Sequence, residues 1–478
     1  MKIPSPTNKF SSLVRLVQLA VRARLFAIAP FATTSLSFTQ ITISRSKVTL
    51  TNAASLKVTP TTGTKVLGVW LLSFMFSFNS WASALECQLI SDPNICSSLK
   101  EEFSTTEPET RVGNVFMIGV SQKAFNLETK KLIEEIRPGQ IIFFGRNISS
   151  PERAFIYTRK IQEVFRSRGW PRPIFAIDQE GGSVVRLRMK PHLPSAAQMA
   201  STLSTKEIAE LAEQVGLYMR NYGFQINLAP VLDIGTPDKS GFLKTRAFGV
   251  DPEVVSEVGI SWTAGMWSSG VFSYAKHFPG HGSVEGDSHR KELVSNRSKD
   301  DLQIKDLSPF KSIFRSTIPS GVMVAHIAYP SIDESGLAAG YSKNILQNLL
   351  RQDLGFKGIV ITDDLLMGGA SKYKTIEERV ENSLLAGVSV AMVAWSPKEQ
   401  LRAFKHVLKL YNSNNKPAWK TLVDTEAFRL YQLKFLLQRN LIGTKKFDFK
   451  TYKELVYKTA TQRQVAGREK NGPVDLSD

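Results

Sequence analysis

Two aspartates and a histidine in the second half of the chain have the types and the spacing that covalent and acid–base chemistry requires. Asp363 comes directly after the apolar run Ile359–Thr362, so its carboxylate is rigidly presented and can attack an electrophilic carbon. Asp287 and His289 are two residues apart on a glycine-containing segment, where the carboxylate can hydrogen-bond the imidazole and fix its tautomer. Such an imidazole suits a group that first donates a proton and later accepts one. A nucleophile and a proton donor are the two roles that glycoside hydrolysis needs.

Short apolar runs alternate with amphipathic stretches from about residue 112 onward. The apolar runs are Val115–Val120, Gln140–Phe144, Ile174–Ile177, Gln225–Leu228, Val271–Ala275, Val322–Ala325, Ile359–Thr362 and Val388–Val393. The amphipathic stretches include Ala154–Arg166, Ser204–Tyr222, Pro252–Ser268, Lys343–Asp353 and Ile376–Ala386. This alternation predicts βαβ units, and their number favours an α/β fold of the TIM-barrel type, a closed (β/α)8 barrel forming a single catalytic domain. No Gly-x-Gly-x-x-Gly motif follows the first run, which argues against a dinucleotide-binding fold.

Polar residues cluster at the ends of the predicted strands, where active sites of such barrels lie. In chain order they are Asp178 and Arg186, Asp233, Lys276 and His277, Asp287 and His289, His326, and Asp363 with Asp364. Each has a structural explanation when taken alone: Asp363 or Asp364 could cap a following helix, for example. Their recurrence at successive strand ends favours an active site instead.

Charge and motif content argue against several other classes of protein. The formal charge is +18, but nine basic residues precede Glu86, the first acidic residue, and account for half of the excess. The remainder contains no Lys/Arg block, so we expect no nucleic-acid partner. No His-Glu-x-x-His motif is present and the barrel region lacks a Gly-x-Ser-x-Gly elbow, so we expect neither a catalytic metal nor a serine triad.

The N-terminal part of the chain resembles targeting sequence. We divide the chain into five segments. They are a basic Ser/Thr-rich extension (1–63), a signal peptide or membrane anchor (64–84), a linker (85–111), the barrel domain (112–445), and a polar tail (446–478) that we expect to form a barrel-packing or peripheral helix and to end in disorder. The apolar run Val66–Phe78 follows Lys65 and precedes Ala82-Ser83-Ala84, a pattern typical of a secretory signal peptide cleaved after Ala84.

The signal-like run begins late in the chain, and three explanations stay open. They are a start set upstream of the real one, a transit peptide in the extension, and an apolar run that remains as an uncleaved anchor. We expect export to the periplasm or the exterior, with a membrane-anchored or cytoplasmic protein as alternatives. Cys87 and Cys96 could form one disulfide in an exported protein and would be two thiols otherwise.

From about Gly113 to Ala394 the chain resembles family 3 glycoside hydrolases, specifically the single-barrel bacterial β-N-acetylglucosaminidases. The motifs that carry this resemblance are Lys276-His277-Phe278-Pro279-Gly280-His281-Gly282 with Asp287-Ser288-His289, Asp178-Gln179-Glu180-Gly181-Gly182, Pro138-Gly139 with Arg146-Asn147, Asn227-Leu228-Ala229-Pro230-Val231-Leu232-Asp233, and Thr362-Asp363-Asp364-Leu365. The family often has an acidic residue in the last strand, where this chain reads Ala386-Gly387-Val388-Ser389. That departure concerns a contact at the rim of the site.

The resemblance implies a role for each matched residue. Asp363 is expected to be the nucleophile that forms a covalent glycosyl-enzyme, and His289 the acid/base oriented by Asp287. The residues expected to bind the sugar are Asp178, Arg186, Arg246, Lys276 and His277. The implied activity is retaining hydrolysis of terminal β-linked N-acetylglucosamine from peptidoglycan fragments, as in cell-wall recycling, or from chitin-type oligosaccharides. No cofactor is implied, the expected partner is a carbohydrate, and we expect a monomer.

Two other functions fit the same residues. Phosphate could replace water as the acceptor, since a histidine acid/base repels an anion less than a carboxylate would, and the protein would then be a phosphorylase. Alternatively, the protein could be an exported wall-binding protein that has kept the pocket and lost turnover.

Overall fold

The computed structural model describes residues 42–44, 47–49, 85–235, 243–284, 286, 288, 290–438 and 445–470. The chain comprises two compact units, Met1–Phe74 and Met75–Asp478. In the first unit, Thr42–Ser44 pairs with Lys47–Thr49 in antiparallel fashion. The segment 64–84, interpreted as a signal peptide or anchor, and most of the extension before it lie outside the described residues. Among the described helices, none combines the length and apolar character needed to cross a bilayer.

An eight-stranded parallel sheet forms the centre of the second unit. Its strands are β1 (Phe116–Gly119), β2 (Gln140–Ile142), β3 (Ile174–Ile177), β4 (Ile226–Asn227), β5 (Phe272–Phe278), β6 (Ser320–Val324), β7 (Val360–Thr362) and β8 (Ala391–Val393). The strands pair in chain order from β1 to β7, and β8 pairs with β1. A parallel bridge between Ile361 and Val390 joins the remaining two edges. Each predicted apolar run overlaps its strand, and the predicted (β/α)8 barrel is confirmed.

Both faces of the barrel strands are buried, which explains why the strands read as continuous apolar runs instead of alternating patterns. One set of side chains fills the barrel interior and packs together as a separate cluster. It includes Met117, Ile142, Ala176, Leu228, Tyr274, Met323, Ile361 and Met392. The opposite faces pack against the surrounding helices in a second, larger cluster.

Helices alternate with the strands, and many of them begin at a side chain that caps the helix. The α-helices are Pro93–Ser104, Pro108–Asn114, Leu127–Ile136, Pro151–Ser167, Ala196–Thr202, Thr205–Asn221, Pro252–Ser268, Lys299–Asp301, Ser308–Arg315, Ile376–Ala386, Pro397–Tyr411, Pro417–Gln438 and Phe449–Lys470, and Leu302–Asp306 and Asn344–Asp353 are π-helical. Short 3-10 turns span Gly145–Asn147, His281–Ser283, Ala339–Tyr341 and Gly368–Ala370, and Leu293–Val294 pairs in parallel with Ile327–Ala328. Ser204 and Glu207 form a reciprocal capping box, as do Thr375 and Glu378.

Residues 85–111, which the sequence analysis treats as a linker, instead contain helical structure docked on the barrel. Leu99 and Phe103 of the helix Pro93–Ser104 are buried, and the Phe103 ring lies 5.3 Å from that of Phe428. Cys87 and Cys96 are joined in a disulfide that ties the preceding segment to this helix. The sequence analysis missed this helix because its buried apolar residues are only two, Leu99 and Phe103, which lie one turn apart in a polar segment. Such a pair forms a packing face only when the surface of another segment covers it.

The last two helices also pack on the barrel. The helix Pro417–Gln438 places Leu430, Leu433 and Leu437 in the interior cluster and so covers the amino-terminal end of the barrel. The helix Phe449–Lys470 lies in the segment interpreted as a polar tail. Its Tyr452 is buried, and the hydroxyl donates to the Pro191 carbonyl at 2.7 Å.

Candidate active site

The carboxyl ends of the barrel strands surround a cavity of about 510 Å³. Parallel strands deliver their carboxyl ends to one face of the barrel, so residues distant in sequence meet there. Residues proposed from the sequence that line this cavity are Asp178, Arg186, Arg246, Lys276, His277 and Asp363. The proposed acid/base pair, Asp287 and His289, lies outside the described residues.

A cluster of ion pairs forms one wall of the cavity. Lys276 Nζ lies 3.0 Å from Asp178 Oδ1 and 2.6 Å from Glu180 Oε1. Arg246 donates to both oxygens of Glu180 at 2.7 Å, and Arg186 Nη2 lies 3.2 Å from Asp178 Oδ2. The cluster joins the ends of β3 and β5 and fixes each side chain through at least one charged hydrogen bond.

Charge compensation keeps this buried cluster ionised. Burial alone would raise the pKa of Glu180, but the charges and hydrogen bonds of Lys276 and Arg246 outweigh it and lower that pKa to about 2. The pKa of Asp178 is lowered in the same way by Lys276 and Arg186 against the effect of burial. Burial would lower the pKa of Lys276, but the two carboxylates raise it. The wall therefore offers fixed donors and acceptors, which suits a ligand rich in hydroxyl groups.

His277, at the carboxyl end of β5, is held by a buried carboxylate. Its Nδ1 lies 2.6 Å from Asp233 Oδ2, and its backbone N–H donates to Asp233 Oδ1 at 3.1 Å. The backbone N–H of His281 also donates to Asp233 Oδ1, at 2.7 Å. Burial would raise the pKa of Asp233, but His277 and His281 outweigh this effect and lower that pKa to about 2. The carboxylate therefore fixes the orientation of the His277 ring, which also lines the cavity.

Asp363 directly follows β7, and its half-buried side chain lines the cavity. Its Oδ1 accepts a hydrogen bond from the backbone N–H of Asp364 at 2.8 Å. The next α-helix begins only at Ile376 and is capped by Thr375, so neither Asp363 nor Asp364 caps a helix. The sharp turn after β7 is instead what presents the Asp363 carboxylate to the cavity.

Asp364 supports this turn from behind. Its Oδ1 accepts from the backbone N–H groups of Leu366 and Ala394, at 3.2 and 3.0 Å, which links the β7 turn to the end of β8. Burial, together with the nearby charge of Asp363, raises the pKa of Asp364 to about 7, although the hydrogen bonds from the backbone of Ala394 and Leu366 oppose the shift. Buried His326 contacts the Asp364 carbonyl through Nε2, at 3.2 Å, and burial lowers the His326 pKa.

The segment that carries the proposed acid/base pair is anchored at a described residue. Ser288 is buried, its Oγ lies 3.2 Å from His281 Nε2, and its carbonyl accepts from the backbone N–H of Gly369 at 2.8 Å. These contacts tie the segment after β5 to the turn after β7. Gly280 and Gly286 adopt φ angles of 141° and 128°, which strongly favour glycine.

Several residues of the site were not assigned a role from the sequence. Glu180 and Asp233 belong to the quoted motifs, but their function as buried counter-ions depends on which cations face them. Arg146 and Trp395 line the cavity mouth after β2 and β8. An aromatic residue two positions after the end of a predicted barrel strand is a signal that could have identified Trp395. Among the described residues, no group of three or more His, Cys, Asp or Glu side chains is arranged to hold a metal ion.

Comparison with known protein families gives a consistent result. Residues 108–429 match the model described as the glycosyl hydrolase family 3 N terminal domain. The chain is 34% identical over 267 residues to a β-hexosaminidase of Nitrosomonas eutropha, covering 54% of this chain and 74% of that protein. It is 35% identical over 277 residues to a β-hexosaminidase of Hydrogenovibrio crunogenus, covering 56% and 75% respectively.

Solved structures resemble the fold. A family 3 β-N-acetylglucosaminidase from Paenibacillus sp. FPU-7 superposes with a TM-score of 0.68 and 26% identity, covering 74% of this chain and 68% of that one. A β-N-acetylhexosaminidase from Beutenbergia cavernae superposes with a TM-score of 0.64 and 26% identity, covering 69% of this chain and 99% of that one. Both the sequence relatives and these structures are thus similar to this chain over the barrel region.

Proposed function

The chain belongs to glycosyl hydrolase family 3 and is a glycoside hydrolase of the β-hexosaminidase type, and we propose that it works by a retaining mechanism on terminal β-linked N-acetylglucosamine. The observation that carries the proposal is the position of Asp363 in the same cavity as the ion-paired wall of Asp178, Lys276 and Arg246. A carboxylate facing a surface built for hydroxyl groups is the arrangement that attack on an anomeric carbon requires.

The proposed reaction has two steps. In the first, a carboxylate oxygen of Asp363 bonds to the anomeric carbon, the bond to the leaving oxygen breaks, and His289 gives that oxygen a proton. In the second, His289 removes a proton from water, the water oxygen bonds to the anomeric carbon, and the bond to Asp363 breaks. The sugar leaves with its original β configuration.

The described residues supply binding and charge control. The cluster of Asp178, Lys276 and Arg246 holds hydroxyl groups of the terminal sugar in a fixed position, which lowers the entropy cost of reaching the reactive geometry. Asp364 stays mostly neutral below about pH 7, so a second negative charge next to the nucleophile is avoided there.

The first experiment tests Asp363 directly. A chromogenic β-N-acetylglucosaminide is the substrate, and Asp363→Asn should lose at least about a thousand-fold in kcat because the covalent step is removed. Asp300→Asn, a surface aspartate on the helix Lys299–Asp301, is the control and should keep full activity. A 2-fluoro sugar inactivator should label the peptide that contains Asp363. Labelling elsewhere, or an active Asp363→Asn variant, contradicts the assignment.

The second experiment tests the acid/base. His289→Ala should slow substrates with poor leaving groups far more than substrates with good ones, because only poor leaving groups need the proton. Equal losses for both kinds of substrate would argue against His289 as the proton donor. Asp287→Asn should show the same selectivity in weaker form, since it alters the orientation and basicity of the imidazole.

Product analysis separates the competing functions. With phosphate present, a hydrolase releases free N-acetylglucosamine, whereas a phosphorylase releases the sugar 1-phosphate. No turnover of any N-acetylglucosaminide, together with measurable binding of wall fragments, would identify a wall-binding protein. Comparing chitobiose with the N-acetylglucosaminyl-anhydromuramyl disaccharide ranks the two proposed substrate classes.

We also propose that the protein is exported. The disulfide between Cys87 and Cys96 supports this proposal, because such bonds persist mainly in oxidising compartments. N-terminal sequencing of the mature protein should begin near Leu85. A mature protein that retains residues 64–84 in the membrane fraction would favour an anchor, and free thiols at both cysteines would favour the cytoplasm.

A further inference from the structure

Three planar groups meet at the mouth of the cavity, after β2 and β8. The Arg146 guanidinium carbon lies 3.7 Å from the centroid of the Trp395 ring and 4.5 Å from that of Phe144. The Phe144 and Trp395 rings are nearly parallel, 26° apart, with centroids separated by 5.0 Å. All three residues line the cavity that contains Asp363.

The three distances show which side of the indole is occupied. If Phe144 and Arg146 lay on opposite faces of Trp395, their separation would approach the sum of their distances from it, and it is instead 4.5 Å. Both groups therefore pack against the same face. Trp395 is nonetheless 54% exposed and lines the cavity, so the part of the indole that Phe144 and Arg146 leave uncovered is available to a ligand. An exposed tryptophan supported from one side is a rigid platform for a flat apolar surface.

Arg146 holds the platform in place instead of pairing with a carboxylate. Its Nη2 makes two long hydrogen bonds, each of 3.4 Å, to the carbonyls of Val120 and Ala394. Arg186, Arg246 and Lys276 are all ion-paired within the wall, and no acidic side chain of the described residues lies within ion-pair distance of Arg146. Burial lowers the pKa of Arg146, and the charge of Asp364 opposes that effect. The Arg146 guanidinium thus stacks with the rings of Phe144 and Trp395.

Around the barrel, the strand β7 that precedes Asp363 lies between β5, which carries Lys276 of the wall, and β8, which precedes Trp395. The wall follows β3, β4 and β5, Asp363 follows β7, and Trp395 follows β8. The wall is buried and charged, as a terminal sugar with many hydroxyl groups requires, whereas the platform is exposed and aromatic. The group that leaves must extend from the anomeric carbon toward the open end of the cavity.

We propose that the uncovered part of the Trp395 indole binds the leaving group by stacking on its pyranose ring, and so makes the enzyme selective for saccharide leaving groups. This inference rests on the proposed function. Stacking of an aromatic ring contributes to transition-state binding only when the leaving group carries a ring, so the effect of Trp395 should depend on the substrate.

The test compares two donors that share the terminal sugar. Chitobiose has a pyranose leaving group, and N-acetylglucosaminyl β-fluoride has none. Trp395→Ala should lower kcat/KM for chitobiose about ten-fold and change kcat/KM for the fluoride less than about two-fold. Trp395→Phe should recover most of the loss, because it restores an aromatic face. Trp170→Ala is the control: Trp170 also stacks with a guanidinium, that of Arg137 at 4.2 Å, but lines a different cavity.

Each outcome is decisive. Equal losses on both donors would mean that Trp395 supports the terminal sugar or the fold, and would overturn the proposal. Unchanged chitobiose kinetics would overturn it as well. If the parent enzyme turned over neither donor, the proposed function would fail and this inference with it, whereas activity on the fluoride with no selective effect of Trp395→Ala refutes the platform alone.

Discussion

Replacing Glu180 by glutamine tests whether the ion-paired wall is as tightly coupled as its geometry indicates. Glu180 accepts two hydrogen bonds from Arg246 and lies 2.6 Å from Lys276 Nζ, with its side chain only 3% exposed. Glutamine keeps the shape and removes the negative charge. Lys276 would then keep Asp178 as its described ion-pair partner, and Arg246 would lose the carboxylate that accepts two of its hydrogen bonds.

Two independent estimates give the size of the effect. Removing one partner of a buried ion pair costs about 3–5 kcal/mol, because the other charge is left uncompensated. The pKa of Glu180 is lowered from 4.5 to about 2. That difference corresponds to about 3 kcal/mol of stability at neutral pH. We therefore expect Glu180→Gln to lower the free energy of unfolding at pH 7 by about 3 kcal/mol.

The pH dependence identifies the cause. A carboxylate whose pKa is lower in the folded state stabilises the fold above its unfolded pKa, and this contribution disappears as the pH falls through the folded pKa. The difference between parent and variant should therefore be constant from pH 7 to pH 5 and shrink by about 1 kcal/mol between pH 5 and pH 3.5. Urea denaturation followed by tryptophan fluorescence at these pH values measures it.

The control is a glutamate whose ion pair is on the surface. Glu163 pairs with Arg166 at 2.6 Å, with both side chains more than half exposed, so Glu163→Gln should change stability much less than Glu180→Gln at every pH. The reasoning is refuted if Glu180→Gln costs less than about 1 kcal/mol at pH 7, or if its cost is the same at pH 3.5 as at pH 7.

Two further predictions concern stability away from the cavity. Lys434 is buried with its Nζ 2.7 Å from Asn114 Oδ1, and burial lowers its pKa to about 7. Lys434→Met should therefore stabilise the protein by about 1–3 kcal/mol at pH 7, and by less at pH 9 because the unfolded lysine binds fewer protons there. Urea unfolding at both pH values measures the difference. Replacing both Cys87 and Cys96 by serine opens a loop with a sequence separation of 9 and should lower the free energy of unfolding by about 2–3 kcal/mol. The reduced parent protein should match the double variant in the same assay. Equal stability of the oxidised and reduced parent would contradict this prediction.

The fold was predictable because its signal is local. Parallel strands that are buried on both faces must be short apolar runs, and runs such as Ile174–Ile177 coincide with their strand. Helices such as Pro252–Ser268 and Ile376–Ala386 were found to the residue, since each begins at a capping side chain, Asp251 and Thr375. The position of polar residues after strand ends then followed from the topology of the barrel.

The parts that the sequence did not reveal depend on contacts between distant segments. Glu180 is a counter-ion only because β5 brings Lys276 against it, and nothing near Glu180 in sequence indicates that pairing. The helix Pro93–Ser104 was missed for the same kind of reason. Its apolar face is narrow, and Phe103 becomes a core residue only against Phe428, more than 300 positions later.

Among the described residues, two lysines are buried, and their surroundings differ. Lys276, at the carboxyl end of β5, has two carboxylates within 3.0 Å, and its pKa is raised. Lys434, at the opposite end of the barrel, has an amide as its described hydrogen-bond partner, and its pKa is lowered. A lysine kept charged by paired carboxylates can orient a substrate hydroxyl, whereas a lysine that burial neutralises cannot do so at neutral pH. The ion pairs that involve buried lysine are thus concentrated where a polar ligand would bind. Loss of Glu180 should therefore lower both the stability of the fold and the affinity for substrate. Loss of Lys434 should leave the activity and the shape of the cavity unchanged.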